Sequence, residues 1–136
     1  MCIRDRSKLA QKVIGVETVK EAINDAHENA KLNGIGHAHF FQGDVIEVCT
    51  DAFVSQHGKP DAIITDPPRA GMHEQLVHKI ADMRAPVVVY VSCNPATQAR
   101  DLNLLSEAYE VTAIQPVDMF PHTHHIENVV QLKLKK

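Results

Sequence analysis

Segments with a strand-like spacing of hydrophobic positions alternate along the chain with segments of helix-like spacing. They predict strands and helices in regular succession. Short apolar or alternating runs predict strands over residues 12–16, 37–42, 61–65, 87–91, 109–117 and 125–134. Apolar residues three or four positions apart predict helices over residues 18–33, 45–57, 72–83 and 95–107. This succession predicts an α/β fold with a mainly parallel sheet. Residues 118–124 are too few for a crossover helix, so we expect the last two strands to pair antiparallel.

The run Val-Val-Val-Tyr-Val at 87–91 predicts a strand buried on both faces, and Ser92-Cys93-Asn94-Pro95 ends it. Asn94 suits a helix N-cap and Pro95 the first helical position. Cys93 would therefore lie at the carboxyl end of a buried strand and just before a helix. Open α/β sheets bind ligands there, and the helix dipole favours a thiolate. The residues alone leave open a buried structural cysteine.

Carboxylates end the strands predicted before the central one. Glu17 closes strand 12–16, and Asp44 follows strand 37–42; a carboxylate at such a strand end can accept ribose hydroxyls or contact an adenine edge. Asp66 precedes two prolines, which make a rigid corner at the strand end. The alternatives are a helix-terminal acid for Glu17, a turn or cap residue for Asp44 and an ordinary turn for Asp66. Thr18 with Glu21 predicts a capping box for the first helix.

Acid and imidazole groups near the carboxyl terminus suggest chemistry as well. Glu127 begins the last predicted strand between apolar neighbours, so we expect it to be partly desolvated, as suits a general base. The alternative is a surface glutamate on an edge strand. The histidines at 122, 124 and 125 follow Asp118, but their spacing matches no strong zinc pattern, so we expect a hydrogen-bonded loop and no metal.

Composition narrows the class of protein. The 136 residues suit one domain at most, and the net charge of −3 is not that of an autonomous nucleic-acid binder, which usually carries a basic face. Its three cysteines form no CxxC pair, which favours a reducing compartment. No apolar run approaches the roughly 18 residues of a membrane span, and the start is unlike a signal peptide. We therefore expect a cytoplasmic protein.

Three motifs together resemble the RNA (uracil-5-)-methyltransferase family, which methylates uridines in 23S ribosomal RNA or in tRNA. They are DPPRAG at 66–71, SCNPATQARDL at 92–102 and FPHTHHIENVV at 120–130. The resemblance covers roughly residues 8–134 and is nearest the ribosomal RNA branch. It implies a Rossmann-like fold with one antiparallel strand near the carboxyl terminus, S-adenosylmethionine as cofactor, and an RNA rather than a DNA substrate, with no membrane partner.

The resemblance also implies a role for each candidate residue: Cys93 as the nucleophile, Glu127 as the base, and Glu17, Asp44 and Asp66 as cofactor contacts. The chemistry needs such a pair. Carbon 5 of uracil becomes nucleophilic when a thiolate adds to carbon 6, and a base must then remove the carbon 5 proton before the thiolate leaves. A flipped uridine would lie between the thiol and the base.

The chain departs from the family at its amino-terminal side. No glycine-rich cofactor loop precedes Glu17, and the opening MCIRDR resembles nothing in the family. The family's RNA-binding portion, with its OB-like module and the iron–sulfur cysteines of many members, is not seen either. We therefore expect residues 1–7 to be a non-family leader and residues 8–136 a truncated catalytic domain. Without the first strand, we expect the chain alone to be poorly stable and to bind the cofactor weakly or not at all.

Two other functions remain open. A methyltransferase acting on an amino group of a base would use a similar DPP corner, although Arg69 stands where that class has an aromatic residue. A non-catalytic Rossmann-like module, or an inactive remnant of an enzyme, would also agree with the missing glycine-rich loop.

Overall fold

The computed structural model describes residues 9–119, 121–123 and 126–136. The chain divides into two compact units, residues 1–56 and 57–136, which are described one at a time. The predicted leader, residues 1–7, lies outside the described residues. No described helix is long and apolar enough to cross a membrane.

The first unit alternates strand and helix, as the pattern predicts. Strands β1 (Val13–Glu17) and β2 (Ala38–Gln42) pair in parallel, with Glu17 opposite Gln42. Between them lies helix α1 (Lys20–Leu32), and after β2 come α2 (Val45–Val48) and α3 (Asp51–His57). Helix α1 buries Ile23 and Ala30. Since β1 and β2 are parallel, Glu17 ends the same sheet edge that Asp44 follows.

Two local predictions for this unit are wrong. The predicted helix over 45–57 is two helices, because the chain leaves helical geometry at Cys49 and the hydroxyl of Thr50 accepts the Phe53 N–H to begin α3. Thr18 is not an N-cap: α1 begins at Lys20 after Val19, which offers no side-chain cap. The Glu17 carboxylate accepts the Val19 N–H instead.

The second unit holds a four-stranded sheet in the order β3-β4-β6-β5. Its elements are β3 (Ala62–Thr65), α4 (Glu74–Met83), β4 (Val87–Ser92), α5 (Pro95–Leu105), β5 (Tyr109–Val117) and β6 (Glu127–Leu134). Strands β3 and β4 are parallel, and β6 runs antiparallel to both β4 and β5. The antiparallel pairing of the last two strands is therefore confirmed, and the last strand lies between β4 and β5.

One face of this sheet carries the core of the unit. Val88 and Tyr90 of β4 are opposite Leu132 and Val130 of β6, and all are fully buried beneath α4 and α5. The alternate residues of β4, at 87, 89 and 91, are only half-buried. The prediction that both faces of this strand are buried is thus wrong within this unit, because both helices contribute to the core on the same face.

Candidate active site

Strand pairing brings Cys93 and Glu127 to the same end of the second unit's sheet. Ser92, the last residue of β4, is opposite Asn128 of β6, and this is the last pair of the two strands. Cys93 directly follows Ser92, and Glu127 directly precedes Asn128. Cys93 is a free, half-buried thiol, and Glu127 is half-buried too. A thiol and a carboxylate therefore lie at the same end of the β4–β6 pair.

The turn that carries Cys93 is held by its own side chains. Asn94 Oδ1 accepts the Ala96 N–H, which confirms Asn94 as the N-cap of α5, and Pro95 is the first helical residue. Buried Ser92 accepts the Asn94 N–H through Oγ at 3.0 Å and donates to the Asn94 carbonyl at 3.1 Å. These bonds leave the turn little freedom, so the thiol has a fixed place before the helix N-terminus.

A pair of amides fixes β6 beside Glu127. The Gln98 side chain, 1% exposed, donates to the carbonyls of Tyr90 and Asn128 at 3.0 and 3.2 Å. Asn128 Nδ2 donates in return to Gln98 Oε1 at 2.6 Å. Helix α5 is thus hydrogen-bonded to β4 and β6 at once, next to the candidate base.

Asp66 follows β3 at the same sheet edge, because Thr65 is opposite Tyr90 in the parallel pair. It begins the loop of residues 66–73, which α5 holds by its first turn. Asn94 Nδ2 and Thr97 Oγ1 each donate to the Arg69 carbonyl at 3.1 Å. The DPP corner is therefore attached to the residue that directly follows Cys93.

The fully buried carboxylate of Asp101 holds the far end of this loop. Its Oδ2 accepts the Met72 N–H and the Tyr90 O–H, each at 2.7 Å, and its Oδ1 accepts Arg100 Nη2 at 2.7 Å. Arg100 Nη2 also donates to the Ala70 and Met72 carbonyls. Burial and the hydrogen bond to Asp101 raise the pKa of Tyr90 well above its usual value, so its hydroxyl keeps the proton that it donates.

Gly71 permits this contact. Its φ of +79° lies in the left-handed region, and a Cβ there would come within 2.7 Å of both Arg100 Nη2 and Asp101 Oδ2. The DPPRAG and SCNPATQARDL motifs are therefore the two sides of a single contact.

No role was predicted for Gln98, Asp101 or Asn128. The sequence nevertheless indicates a buried position for Gln98 and Asp101. They share one face of α5 with Leu102 and Leu105, at the three- and four-residue spacing that marks the core-facing stripe of a helix. A polar residue in such a stripe indicates a buried hydrogen-bond network. Asn128, on a strand, gave no comparable signal.

In the first unit, Glu17 and Asp44 are exposed carboxylates at the end of the parallel pair. Glu17 Oε1 accepts the Val19 N–H at 3.0 Å, and this bond holds the pKa of the carboxyl below its usual value. Asp44 caps α2, because its side chain accepts the Ile46 N–H at 2.8 Å. The alternative role predicted for Asp44, that of a cap residue, is therefore observed. Gly43 donates its N–H to the Glu17 carbonyl, which links the two strand ends.

Among the described residues, no group of three or more histidine, cysteine, aspartate or glutamate side chains could hold a metal ion. Two members of the histidine motif, His124 and His125, lie outside the described residues, as does Phe120.

Solved structures first define the class. The N-methyltransferase NodS of Bradyrhizobium japonicum, solved with S-adenosylhomocysteine, superposes with a TM-score of 0.71 over 96% of this chain and 72% of its own. At 14% identity this likeness shows the fold alone. The chain thus has the α/β fold of S-adenosylmethionine-dependent methyltransferases, as expected.

The particular family follows from closer matches. The family model for tRNA (uracil-5-)-methyltransferases matches residues 5–135, so the chain belongs to that family and the resemblance is confirmed. A tRNA (uracil-54, C5)-methyltransferase of Pyrococcus abyssi, solved with S-adenosylhomocysteine, is 37% identical with a TM-score of 0.81, over 96% of this chain and 31% of its own. An uncharacterized RNA methyltransferase of Bacteroides thetaiotaomicron is 59% identical over 129 residues, 95% of this chain and 28% of that protein. The chain therefore spans less than a third of these relatives' length.

Proposed function

We propose that this chain carries the catalytic residues of an enzyme that methylates carbon 5 of a uridine in structured RNA, with S-adenosylmethionine as the methyl donor. The observation that carries the proposal is the pairing of Ser92 with Asn128, which brings the neighbouring residues Cys93 and Glu127 to the same end of the sheet. Membership of the family supports it. So does the cofactor product in the P. abyssi structure.

In the proposed reaction Cys93 Sγ adds as a thiolate to carbon 6 of the uracil, and the ring becomes an enolate. The bound cofactor would supply a sulfonium methyl group to carbon 5, with cleavage of the sulfur–methyl bond and release of S-adenosylhomocysteine. The Glu127 carboxylate then takes the carbon 5 proton, the carbon 5–carbon 6 double bond re-forms, and the thiolate leaves. The Gln98–Asn128 pair and the Ser92–Asn94 turn keep base and nucleophile in place.

We propose 23S ribosomal RNA as the substrate, because the three motifs are nearest the ribosomal RNA branch of the family. We also propose that the enzyme acts in the cytoplasm. A second candidate is tRNA, and a specific observation favours it: the P. abyssi neighbour is named for a tRNA position.

The test uses a hybrid enzyme, in which this chain replaces the matching 129-residue segment of the B. thetaiotaomicron relative. The rest of the hybrid is the relative's own sequence. Incubation with unmodified 23S ribosomal RNA or unmodified tRNA, followed by nucleoside mass spectrometry, should show 5-methyluridine in the first. If 5-methyluridine appears only in tRNA, the substrate is tRNA, the second candidate. Methylation of a base amino group, or of nothing by a folded hybrid that binds cofactor, would contradict the proposed function.

For the cofactor we propose Glu17, Asp44 and Asp66 as contacts. The observed chemistry of Glu17 fits: it is exposed, it ends a parallel strand, and its lowered pKa keeps it ionised, as an acceptor of ribose hydroxyls must be. Asp44 would use the carboxylate oxygen that does not cap α2. Asp66 would use its position at the DPP corner.

Glu17→Gln is expected to weaken binding of S-adenosylhomocysteine to the hybrid about ten- to a hundredfold, since a hydrogen bond to a charged acceptor is lost. Glutamine keeps an oxygen for the Val19 N–H, so the turn that precedes α1 should keep its hydrogen bond. Isothermal calorimetry measures the change. Glu21→Gln, an exposed glutamate in the first turn of α1, is the matched control. Equal losses in both variants would contradict the assignment.

A further inference from the structure

Arg69 is a cation placed beside the nucleophile turn. Its carbonyl accepts hydrogen bonds from Asn94 and Thr97, so its backbone is held against the residue that follows Cys93. The preceding Pro67-Pro68 pair restricts the backbone on one side, and Gly71, whose N–H donates to the Pro68 carbonyl at 2.8 Å, closes the turn on the other. The position of Arg69 is therefore fixed, although its side chain is exposed.

The guanidinium of Arg69 is unengaged. Among the residues that the structure describes, it has no hydrogen-bond or ion-pair partner. Arg100, the nearest other cation in this contact, is paired with Asp101 at 2.7 Å. Arg84 and Lys133 lie at the other end of the sheet, where β4 begins and β6 ends. Arg69 is thus the free cation that the described second unit presents at the Cys93 edge.

The net charge of the chain makes a cation at this position relevant to RNA binding. With a net charge of −3, the chain offers no general attraction to RNA, so a cation at the reaction edge is a local feature. Arginine binds phosphate oxygens through two parallel N–H groups, which fixes both distance and direction. The phosphates of a nucleotide flipped toward Cys93 would lie at the same sheet edge as the turn that holds Arg69.

We propose that Arg69 binds a backbone phosphate next to the target uridine and so fixes that nucleotide against Cys93. The inference rests on the proposed function and adds the residue that orients the RNA at the reacting base. Arg69 makes no base contact in this role, so it positions the substrate without reading its sequence.

The test compares variants of the hybrid by RNA methylation at several salt concentrations. Arg69→Ala should raise KM for RNA about tenfold and lower the slope of log KM against log salt by about one, because one phosphate contact is lost. Arg69→Lys should restore the salt slope while recovering only part of the affinity. Arg84→Ala removes an equally exposed arginine at the opposite sheet end and should change neither quantity.

A second measurement separates this role from an effect on the thiol. The rate at which a small alkylating reagent modifies Cys93 in the absence of RNA should be the same in Arg69→Ala as in the parent. An unchanged KM and salt slope, or a slower alkylation that accounts for the loss of activity, would overturn the phosphate role. The proposed function would then still stand if the parent hybrid makes 5-methyluridine; a parent that makes none overturns both.

Discussion

Cys93→Ala is expected to lower RNA methylation by the hybrid at least about a thousandfold, because it removes the thiolate proposed to add to carbon 6 of the uracil. The same substitution should abolish the covalent complex with RNA that contains 5-fluorouridine. Fluorine at carbon 5 cannot be removed as a proton, so the parent enzyme remains attached to such RNA after methyl transfer. Gel electrophoresis under denaturing conditions measures the complex directly.

Cys49→Ala is the matched control. Cys49 is a buried cysteine at the end of α2, and its replacement should leave both the rate and the complex unchanged. Glu127→Gln should behave differently from both. Without a base the carbon 5 proton stays, so a methylated adduct with ordinary uridine RNA should accumulate while product formation falls. A fluorouridine complex that survives in Cys93→Ala would show that another residue is the nucleophile.

The local parts of this site were predictable from the sequence, because each follows from residue type. Asn94 and Pro95 after an apolar run specify a helix start, and the structure has the cap bond that the motif predicts. The short link between the last two strands specifies an antiparallel pair, which is observed. The break at Cys49 was missed because the hydrophobic spacing over 45–57 is compatible with one continuous helix.

The tertiary parts were not predictable in the same way. The link between β5 and β6 does not tell which strand lies on the other side of β6. That neighbour is β4, and its pairing with β6 brings Glu127 to the sheet end that carries Cys93. Likewise, the contact between Gly71 and Asp101 joins residues that are distant in the chain, and neither motif contains the other's partner. The polar residues on the buried face of α5 indicate that a hydrogen-bond network exists, but they do not identify its partners.

The second large effect is expected at the contact between Asp101 and the loop of residues 66–73. Asp101→Ala should lower the free energy of unfolding by about 2–5 kcal/mol, because each buried donor left without an acceptor costs about 1–3 kcal/mol. Most of the loss comes from two buried donors, the Tyr90 hydroxyl and the Met72 N–H, which lose their common acceptor. Arg100 contributes less, because its side chain is 53% exposed and can turn to water. Urea unfolding of the hybrid followed by far-ultraviolet circular dichroism measures the change.

Tyr90→Phe tests the same contact from its other side and should cost about 1–2 kcal/mol, since it removes one donor and leaves Asp101 its remaining partners. If the two groups stabilise each other, the double variant costs less than the sum of the single ones, whereas independent groups would add. Asp82→Ala, on the exposed side of α4, should stay within about 0.5 kcal/mol. Hydrogen exchange at the Met72 amide locates the effect: it should rise sharply in Asp101→Ala and hardly at all in Asp82→Ala. An Asp101→Ala variant as stable as Asp82→Ala would mean that loop 66–73 keeps its place without the carboxylate, through the bonds that Asn94, Thr97 and Arg100 donate to its carbonyls.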